Sequence, residues 1–307
     1  MNYTLHQLQI FLKIVETKSV TKASIILNLT QPAVSIQLKK FQDQFDIPLT
    51  EIIGRQLYVT HFGNEIAITA QKILDEVASI NYKSMTYKGI LSGKLTLSVV
   101  STGKYVMPYF LTDFLNQNKS IDLEMDVTNK AKVVKSLENN EVDFALVSIL
   151  PEGLQIQSEV LLDNKLYFIG SKNFDENKLN DLNYIFNNYP LIFREEGSAT
   201  RIVMENYLHR NDLKSTKKIQ LTSNEAVKQA VISGIGISIM PIIGLKNELE
   251  RGDLKIISMK GFPIKSNWHL VWLKNKSMSP IANAFLTYIK EQKISLKQNN
   301  FSWIDSY

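Results

Sequence analysis

The stretch Thr30-Gln-Pro-Ala-Val-Ser-Ile-Gln-Leu-Lys-Lys-Phe-Gln42 decides how the first part of this chain folds. A hydroxyl residue followed by proline in the first turn is a helix start, because the proline lacks an N–H that the first turn leaves unused. Val34, Leu38, Phe41 and Phe45 then recur at i, i+4, i+7 and i+11, lining one face toward a core and carrying the helix to about Phe45. At about 100° per residue, the opposite face holds Pro32, Ile36, Lys39, Lys40 and Asp43, with Ser35 on its flank and Gln31 at its start.

Upstream, Leu5, Leu8, Leu12 and Val15 share a helical face with Phe11 beside them. Ser19 precedes a second, short helix on which Val20, Ala23 and Leu27 align, and Asn28-Leu29 makes a tight connection. Two short helices joined by about three or four residues have helix-turn-helix spacing. Downstream, Ile52 to Thr60 reads as two strands around a Gly54-Arg55 tip, a small wing. From His61 to about Lys88 no proline interrupts a helical stripe of Ile66, Ala70, Ile73, Val77 and Ile80. Such a helix needs a partner surface, and a coiled-coil-like dimer contact is expected.

Gly89 to Gly93 forms a short Gly/Ser linker, after which strands alternate with helices. Leu95, Leu97 and Val99 alternate; a helix follows Pro108; Ile121, Leu123, Met125 and Val127 alternate with acids; residues 130–139 are helical; and Val142 to Val147 is a buried strand. The pattern repeats with strands at 165–170, 191–193, 218–221, 236–240 and 268–273, and helices from about Arg201, Asn224 and Pro280. Alternation of this kind implies a mostly parallel sheet in two α/β lobes. The expected units are 1–60, a linker helix at 61–90, and 91–307, with lobe I at about 93–165 and 267–303 and lobe II at about 166–266.

Length and composition agree. At 307 residues the chain exceeds one ordinary domain, and 44% apolar residues suffice for real cores. The absence of cysteine removes disulfides, thiolate nucleophiles, Cys-ligated zinc and Fe–S clusters. The four histidines, His6, His61, His209 and His269, are too scattered for a metal site, so no metal is expected. The start, Met1 to Gln7, lacks a basic segment followed by an apolar one, so no signal peptide is expected. The most apolar run, Ala230 to Gly244, is short and broken by Gly, Ser and Pro, so no membrane span is expected. These readings together point to a cytoplasmic protein.

The exposed face of the 31–42 helix suits nucleic acid. Gln31 can pair bidentately with adenine, Ser35 can bond several base edges, and Lys39 and Lys40 suit phosphates. Any amphipathic helix shows a polar face, so composition alone leaves this open. The order of helix, turn, proline-started helix and Gly-Arg wing favours DNA.

Leu5-His-Gln-Leu-Gln-Ile-Phe11, Ser19-Val-Thr-Lys-Ala23, Leu29-Thr-Gln-Pro-Ala-Val-Ser35, Leu38-Lys-Lys-Phe41 and Ile47-Pro-Leu49 together resemble the LysR-type transcriptional regulators. The resemblance covers about residues 3–300. It implies an α/β chain with an N-terminal winged helix-turn-helix, a long linker helix and a two-lobed effector domain like that of periplasmic binding proteins. It also implies DNA contacts at Gln31, Pro32, Ser35, Gln37 and Arg55. Thr30, Ile36, Lys39 and Lys40 complete the candidate DNA-binding set. The chain departs from the family pattern at Ile36, where Arg or a polar residue is usual, and at Thr50-Glu-Ile52, where Phe-Glu-Arg is usual and one phosphate-binding Arg is missing. Val59-Thr-His-Phe-Gly63 departs only mildly.

In open α/β sheets, ligands bind beyond the carboxyl ends of the strands. Ser101 and Thr102 follow the first strand of the second part, Thr128 and Ser148 follow the next two, and Ser198 and Thr200 lie in the loop Arg194 to Arg201 before a helix. Asn224 opens another helix behind Ser223. Each alone reads as an ordinary helix cap; their convergence at strand ends favours a cleft for a small anion. The resemblance agrees, since effector domains of this family hold small molecules between their lobes. The segment Ser223 to Ile237, with the 194–201 loop, is similar to the subgroup that includes regulators of sulfur assimilation and carbon fixation.

Enzyme readings find little support. Gly234-Ile-Gly236 lacks a third Gly and precedes a strand, so it is no dinucleotide fingerprint. No Gly-x-Ser-x-Gly elbow surrounds Ser198, and Glu195-Glu196 reads as solvated charge. Trp268, Trp272 and Trp303 read as packing residues. The expectation is therefore a ligand-responsive regulator, without enzymatic activity or cofactor. Its expected partners are double-stranded DNA, a small anionic effector, and copies of itself as a homodimer or homotetramer. Within the resembled family, zero cysteine also excludes thiol-based peroxide sensing. The alternatives are a solute-binding protein, which leaves the first 90 residues unexplained, and a small-molecule enzyme on an α/β scaffold.

Overall fold

The computed structural model describes residues 2–54, 56–87, 90–175, 182–213 and 215–307. Its internal packing divides the chain into two units, Met1–Ile90 and Leu91–Tyr307.

The first unit opens with helix α1 (Leu5–Thr17). Thr4 caps it through a capping box, accepting from the Gln7 N–H while the Gln7 side chain accepts from the Thr4 N–H. Helix α2 (Val20–Ile26) is capped by Ser19, and α3 (Gln31–Gln42) starts behind Thr30 with Pro32 in its first turn. The wing follows as an antiparallel hairpin of β1 (Thr50–Ile53) and β2 (Gln56–Val59), with Gly54 at φ 66°. Helix α4 (His61–Tyr87) completes the unit. Gly63 lets its first turn approach closely, since a Cβ there would stand 2.0 Å from the Leu49 carbonyl oxygen.

Two details differ from the periodicity. The buried centre of α1 is Leu8, Ile10, Phe11 and Ile14, while Leu5 is exposed. The reason is that α1 is packed from two sides. Leu8 and Phe11 meet Phe41, Leu49, Ala67 and Ala70, whereas Ile10 and Ile14 meet Ala23 and Val34. A helix covered by two clusters buries a wider arc than one stripe. Helix α3 also stops at Gln42 rather than near Phe45. Phe45 instead folds back into an aromatic cluster, 5.2 Å from the Phe41 ring and 5.9 Å from Phe62.

The second unit begins with β3 (Ser92–Val100), a 3-10 turn (Ser101–Tyr105) and α5 (Met107–Gln117). It continues through β4 (Ser120–Thr128), α6 (Lys130–Glu138), β5 (Phe144–Val147) and β6 (Ile156–Ser171). Then come α7 (Leu182–Asn188), β7 (Leu191–Arg194), α8 (Ala199–Arg210), β8 (Lys218–Leu221) and α9 (Asn224–Ile232). The last elements are β9 (Ser238–Pro241), α10 (Lys246–Glu250), β10 (Leu254–Ile257), β11 (Ile264–Leu273) and α11 (Pro280–Phe301).

The main sheet has the order β10-β6-β11-β5-β3-β4, with β9 also pairing β6. Only β5-β3-β4 is parallel; the pairings of β6 with β11, β9 and β10, and of β11 with β5, are antiparallel. The expectation of a mostly parallel sheet is thus corrected. Strands β6 and β11 run alongside each other in opposite directions, Ile156–Leu166 against Leu273–Ile264, and this long antiparallel pair sets the direction of the middle of the sheet. The first half of β6 escaped notice because Gln157, Ser158, Glu159, Asp163 and Asn164 interrupt its apolar alternation. One large core surrounds β3, β5, β11, α5 and α11 and includes buried Trp268 and Trp272, with Trp303 packed against it. A second core joins the far half of β6 to α7, β7, α8 and β9. No helix among the described residues is long and apolar enough to cross a membrane.

Candidate functional site

Most of the residues singled out on α3 are exposed together. Thr30, Gln31, Pro32, Ser35, Ile36, Lys39 and Lys40 all lie on the accessible side, with Val34 and Phe41 buried opposite. Thr30 holds the N-cap position without making the cap hydrogen bond that Thr4 and Ser19 make, so its hydroxyl is free for another acceptor or donor. Neither Lys39 nor Lys40 has an ion-pair partner among the described residues. Ile36 is 54% exposed, an apolar group standing in a polar face. Gln37 is different: it is half-buried and its Oε1 accepts from Gln7 Nε2 at 3.2 Å, which ties α3 to α1. Arg55 lies outside the described residues. The wing strand β1 carries exposed Ile52 and Ile53.

In the second unit, the register sets the strand ends side by side. Val100 pairs with Thr128 on the neighbouring strand, and Val99 with Leu146, so Ser101, Thr128 and Ser148 emerge at one edge of the sheet. The loop before α8 reaches the same edge. The Gly197 carbonyl accepts from the Ala131 N–H at 3.2 Å, at the start of α6 just beyond Thr128. Gly197 has φ 81°, and a Cβ on it would sit 2.9 Å from the Ala131 Cβ, so this approach requires glycine. That contact ties the loop carrying Ser198 and Thr200 to the start of α6, which follows β4.

The side chains there are uncommitted. Ser198 is the N-cap of α8 but forms no side-chain cap bond. The hydroxyls of Ser101, Thr102, Thr128, Ser148, Ser198 and Thr200 have no hydrogen-bond partner among the described residues, although Thr102 and Ser198 are buried and the others half-buried. The ordinary-cap reading therefore does not account for them. Free hydroxyls at a helix N-terminus with unspent N–H groups are a chemistry suited to phosphate or carboxylate.

Asn224 is placed differently from expectation. It is buried in the first turn of α9, whose cap is Ser223, and its Oδ1 accepts from Arg194 Nη1 at 2.6 Å. Arg194, buried at the end of β7, is further held by Glu195 through bonds of 2.8 and 2.9 Å. Asn224 and Glu195 thus orient a cation beside the loop. Sequence reasoning quoted Arg194 without assigning it a role; a charge closing the apolar run Leu191-Ile-Phe193 was the signal. Asn129 was also missed. It caps α6 by accepting from the Lys132 N–H at 3.0 Å and lies next to Gly197. Among the described residues no group of three or more His, Asp or Glu could hold a metal.

A winged helix-turn-helix before a two-lobed α/β unit is the architecture of a ligand-responsive DNA-binding regulator. Comparison with known proteins gives the family. Residues 5–64 match the model of the bacterial regulatory helix-turn-helix protein, lysR family, and residues 88–293 match the LysR substrate binding domain. The chain belongs to the LysR family of transcriptional regulators. It is 34% identical to the HTH-type transcriptional activator CmpR of Synechocystis over 302 residues, covering 97% of this chain and 99% of that one. The regulatory domain of CcmR from Synechocystis, solved in complex with 2-PG, is 33% identical over 66% of this chain and 98% of its own, with a TM-score of 0.61. Full-length CbnR, solved with its target DNA, shares the fold at 18% identity and a TM-score of 0.72, covering 94% of this chain and 99% of its own.

Proposed function

We propose that this chain regulates transcription in the cytoplasm as a homo-oligomer that binds double-stranded DNA through α3 and a small phosphate- or carboxylate-bearing anion through the cleft of its second unit. The working units are residues 1–60, the 61–90 helix and 91–307, with lobes meeting near residues 166 and 266. Gln31, Pro32 and Ser35 face base edges, Thr30, Lys39 and Lys40 face phosphates, and Ile36 meets a thymine methyl. Arg55 at the wing tip and Gln37 beside Gln7 complete the set, Gln37 chiefly by fixing α3. Exposed Ile73 and Ile80 on α4 are offered to a second copy of the helix.

The effector reading is supported by one observation: among the described residues the hydroxyls of Ser101, Thr102, Thr128, Ser148, Ser198 and Thr200, at strand ends and a helix start, are uncommitted. Asn224 acts behind them by holding Arg194, from which an incoming anion displaces Glu195. The 2-PG complex of the related CcmR domain supports the anion class. An effector shifts DNA output only if it binds one subunit arrangement better than another.

Calorimetry with 2-PG as probe tests this. Thr102→Ala and Thr200→Ala should each weaken binding by about tenfold, the loss of one hydrogen bond to a charged group. Unchanged affinity in both variants excludes the hydroxyl cleft. Deleting residues 1–60 should abolish operator retention in a gel shift while sparing 2-PG binding; a truncated chain that still retains DNA refutes the assignment to α3.

A further inference from the structure

A cavity of about 380 Å³ lies in the second unit, away from the strand-end cleft, between the Ser101–Tyr105 turn, the Ile242–Gly244 turn, α10 and the end of α11. Its size falls in the range of about 300–1,000 Å³ usual for small-molecule sites. Its walls include Lys104, Tyr105, Tyr109, Lys246, Asn247 and Trp303, and none of the seven proposed cleft residues contributes to it.

The charges in it fall into two kinds. Lys228 is buried and its ammonium is held by Glu225 at 3.0 Å and Glu248 at 2.8 Å. Burial works against its charge, but these hydrogen bonds raise its pKa overall, so the group stays a bound cation. Glu248, the carboxylate that lines the pocket, is engaged in this arrangement. Among the described residues neither Lys104 nor Lys246 forms an ion pair or a side-chain hydrogen bond, although Lys104 lies near enough to Glu225 to help lower its pKa. Instead, each ammonium stands over an aromatic ring, Lys104 over Tyr105 at 5.0 Å and Lys246 over Trp303 at 5.5 Å. The Asn247 side-chain amide is likewise uncommitted among them.

Exposed lysines are usually just solvated. These two differ in sharing one concavity with the rings of Tyr105, Tyr109, Phe301 and Trp303, while the ion pairs of Glu225 and Glu248 there go to Lys228. The platform is also rigid. Gly244 packs so closely on Tyr105 that a Cβ would stand 2.7 Å from the ring, and the Tyr105 hydroxyl reaches the Glu225 carboxylate at 3.5 Å.

We infer that this cavity is a second ligand site, for a small organic anion that presents phosphate or carboxylate to Lys104 and Lys246 and lays a flat apolar body on Tyr105, Tyr109 and Trp303. The site goes beyond the cleft reading and does not depend on it. It is coupled to the cleft by two shared elements. Lys104 and Tyr105 end the turn that Ser101 and Thr102 begin, and Lys228 lies one helical turn after Asn224 on α9.

The test uses the full chain and phenyl phosphate as the probe. Trp303 is the least buried of the three tryptophans and reports directly by fluorescence. Phenyl phosphate should bind saturably to the wild-type chain and to the cleft variant Thr102→Ala/Thr200→Ala, quenching Trp303 in both. Lys104→Ala/Lys246→Ala should weaken that binding by at least about tenfold with only a small change in melting temperature, because neither lysine is in an ion pair among the described residues. Lys104→Arg/Lys246→Arg should restore it. Wild-type affinity in the double alanine variant overturns the site, as does the absence of saturable binding at millimolar probe. Loss in the cleft variant alone assigns the binding to the cleft. Binding of 2-PG to the lysine variants, measured separately, keeps a failure of this site distinct from a failure of the cleft.

Discussion

In the N-terminal unit, the proposed DNA contacts other than Arg55 fall between Thr30 and Lys40, on a single helix and its cap. In the second unit, the cleft residues come from five strand ends and helix starts between Ser101 and Asn224. A surface built on one helix inherits its geometry from the 3.6-residue repeat, so burying Val34 and Phe41 exposes Ser35, Lys39 and Lys40 at once. A cleft built from distant segments has no such guarantee. It depends on the register of β3 with β4 and β5, and on one backbone contact, Gly197 to Ala131. The helix surface should therefore tolerate any change that leaves its core intact, while the cleft should be sensitive to single backbone positions.

The strongest way to break this contrast is Phe41→Ala. Phe41 is fully buried against Tyr3, Phe11 and Phe45, and its truncation should destabilise the first unit by about 3–5 kcal/mol. Calorimetric unfolding should show an early transition and lost operator binding, with 2-PG binding retained. Simultaneous loss of both activities contradicts the independence of the two sites.

Next in size is Gly197→Val. It combines a positive φ with a close approach to Ala131, strain of about 1–3 kcal/mol, and should lower 2-PG affinity by about tenfold or more while leaving DNA affinity of the unliganded chain unchanged. Normal 2-PG affinity in this variant means the loop does not close the cleft.

A smaller effect sharpens the helix side. Lys39→Ala or Lys40→Ala should each reduce the slope of log affinity against log salt by about one, uniformly across operator sequences. A change in sequence preference without a change in slope places that lysine on a base instead.

The smallest concerns pH. His269 lies beside the β-bulge of β11, its Nδ1 buried without a hydrogen-bond partner among the described residues, and burial holds the imidazole below its ordinary 6.5. The unfolded chain takes up the proton first, so stability is complete above pH 6.5 and declines as pH falls below it, by under about 1.4 kcal/mol per pH unit. His269→Phe should flatten that decline in melting temperature; an unaltered profile assigns the acid sensitivity to other groups.

The two units were unequally legible. Pro32, the apolar spacing of Val34, Leu38 and Phe41, and the Gly54 tip made the winged unit readable, since each is a local rule of helix or hairpin. The ends of β3, β4 and β5 were readable as places where hydroxyls collect. The direction of the sheet was not, because β6 and β11 pair across about a hundred residues and polar side chains mask the first half of β6. Nor was the role of Asn224, whose neighbour Arg194 stands 30 positions away.

By itself the sequence determined the winged helix-turn-helix and most of the helices and strands after it, though not α7, α10, β10 or the first half of β6, and it determined which face of α3 is polar and that neither thiols nor a histidine cluster are available for chemistry. Those properties follow from residues within a few positions of one another. Only the tertiary structure decided which hydroxyls lack hydrogen-bond partners among the described residues, that Gln37 and Asn224 are spent on internal bonds, and that Lys228 forms a buried ion triad with Glu225 and Glu248. Those depend on which groups distant parts of the chain bring within about 3 Å, a distance that no local periodicity encodes.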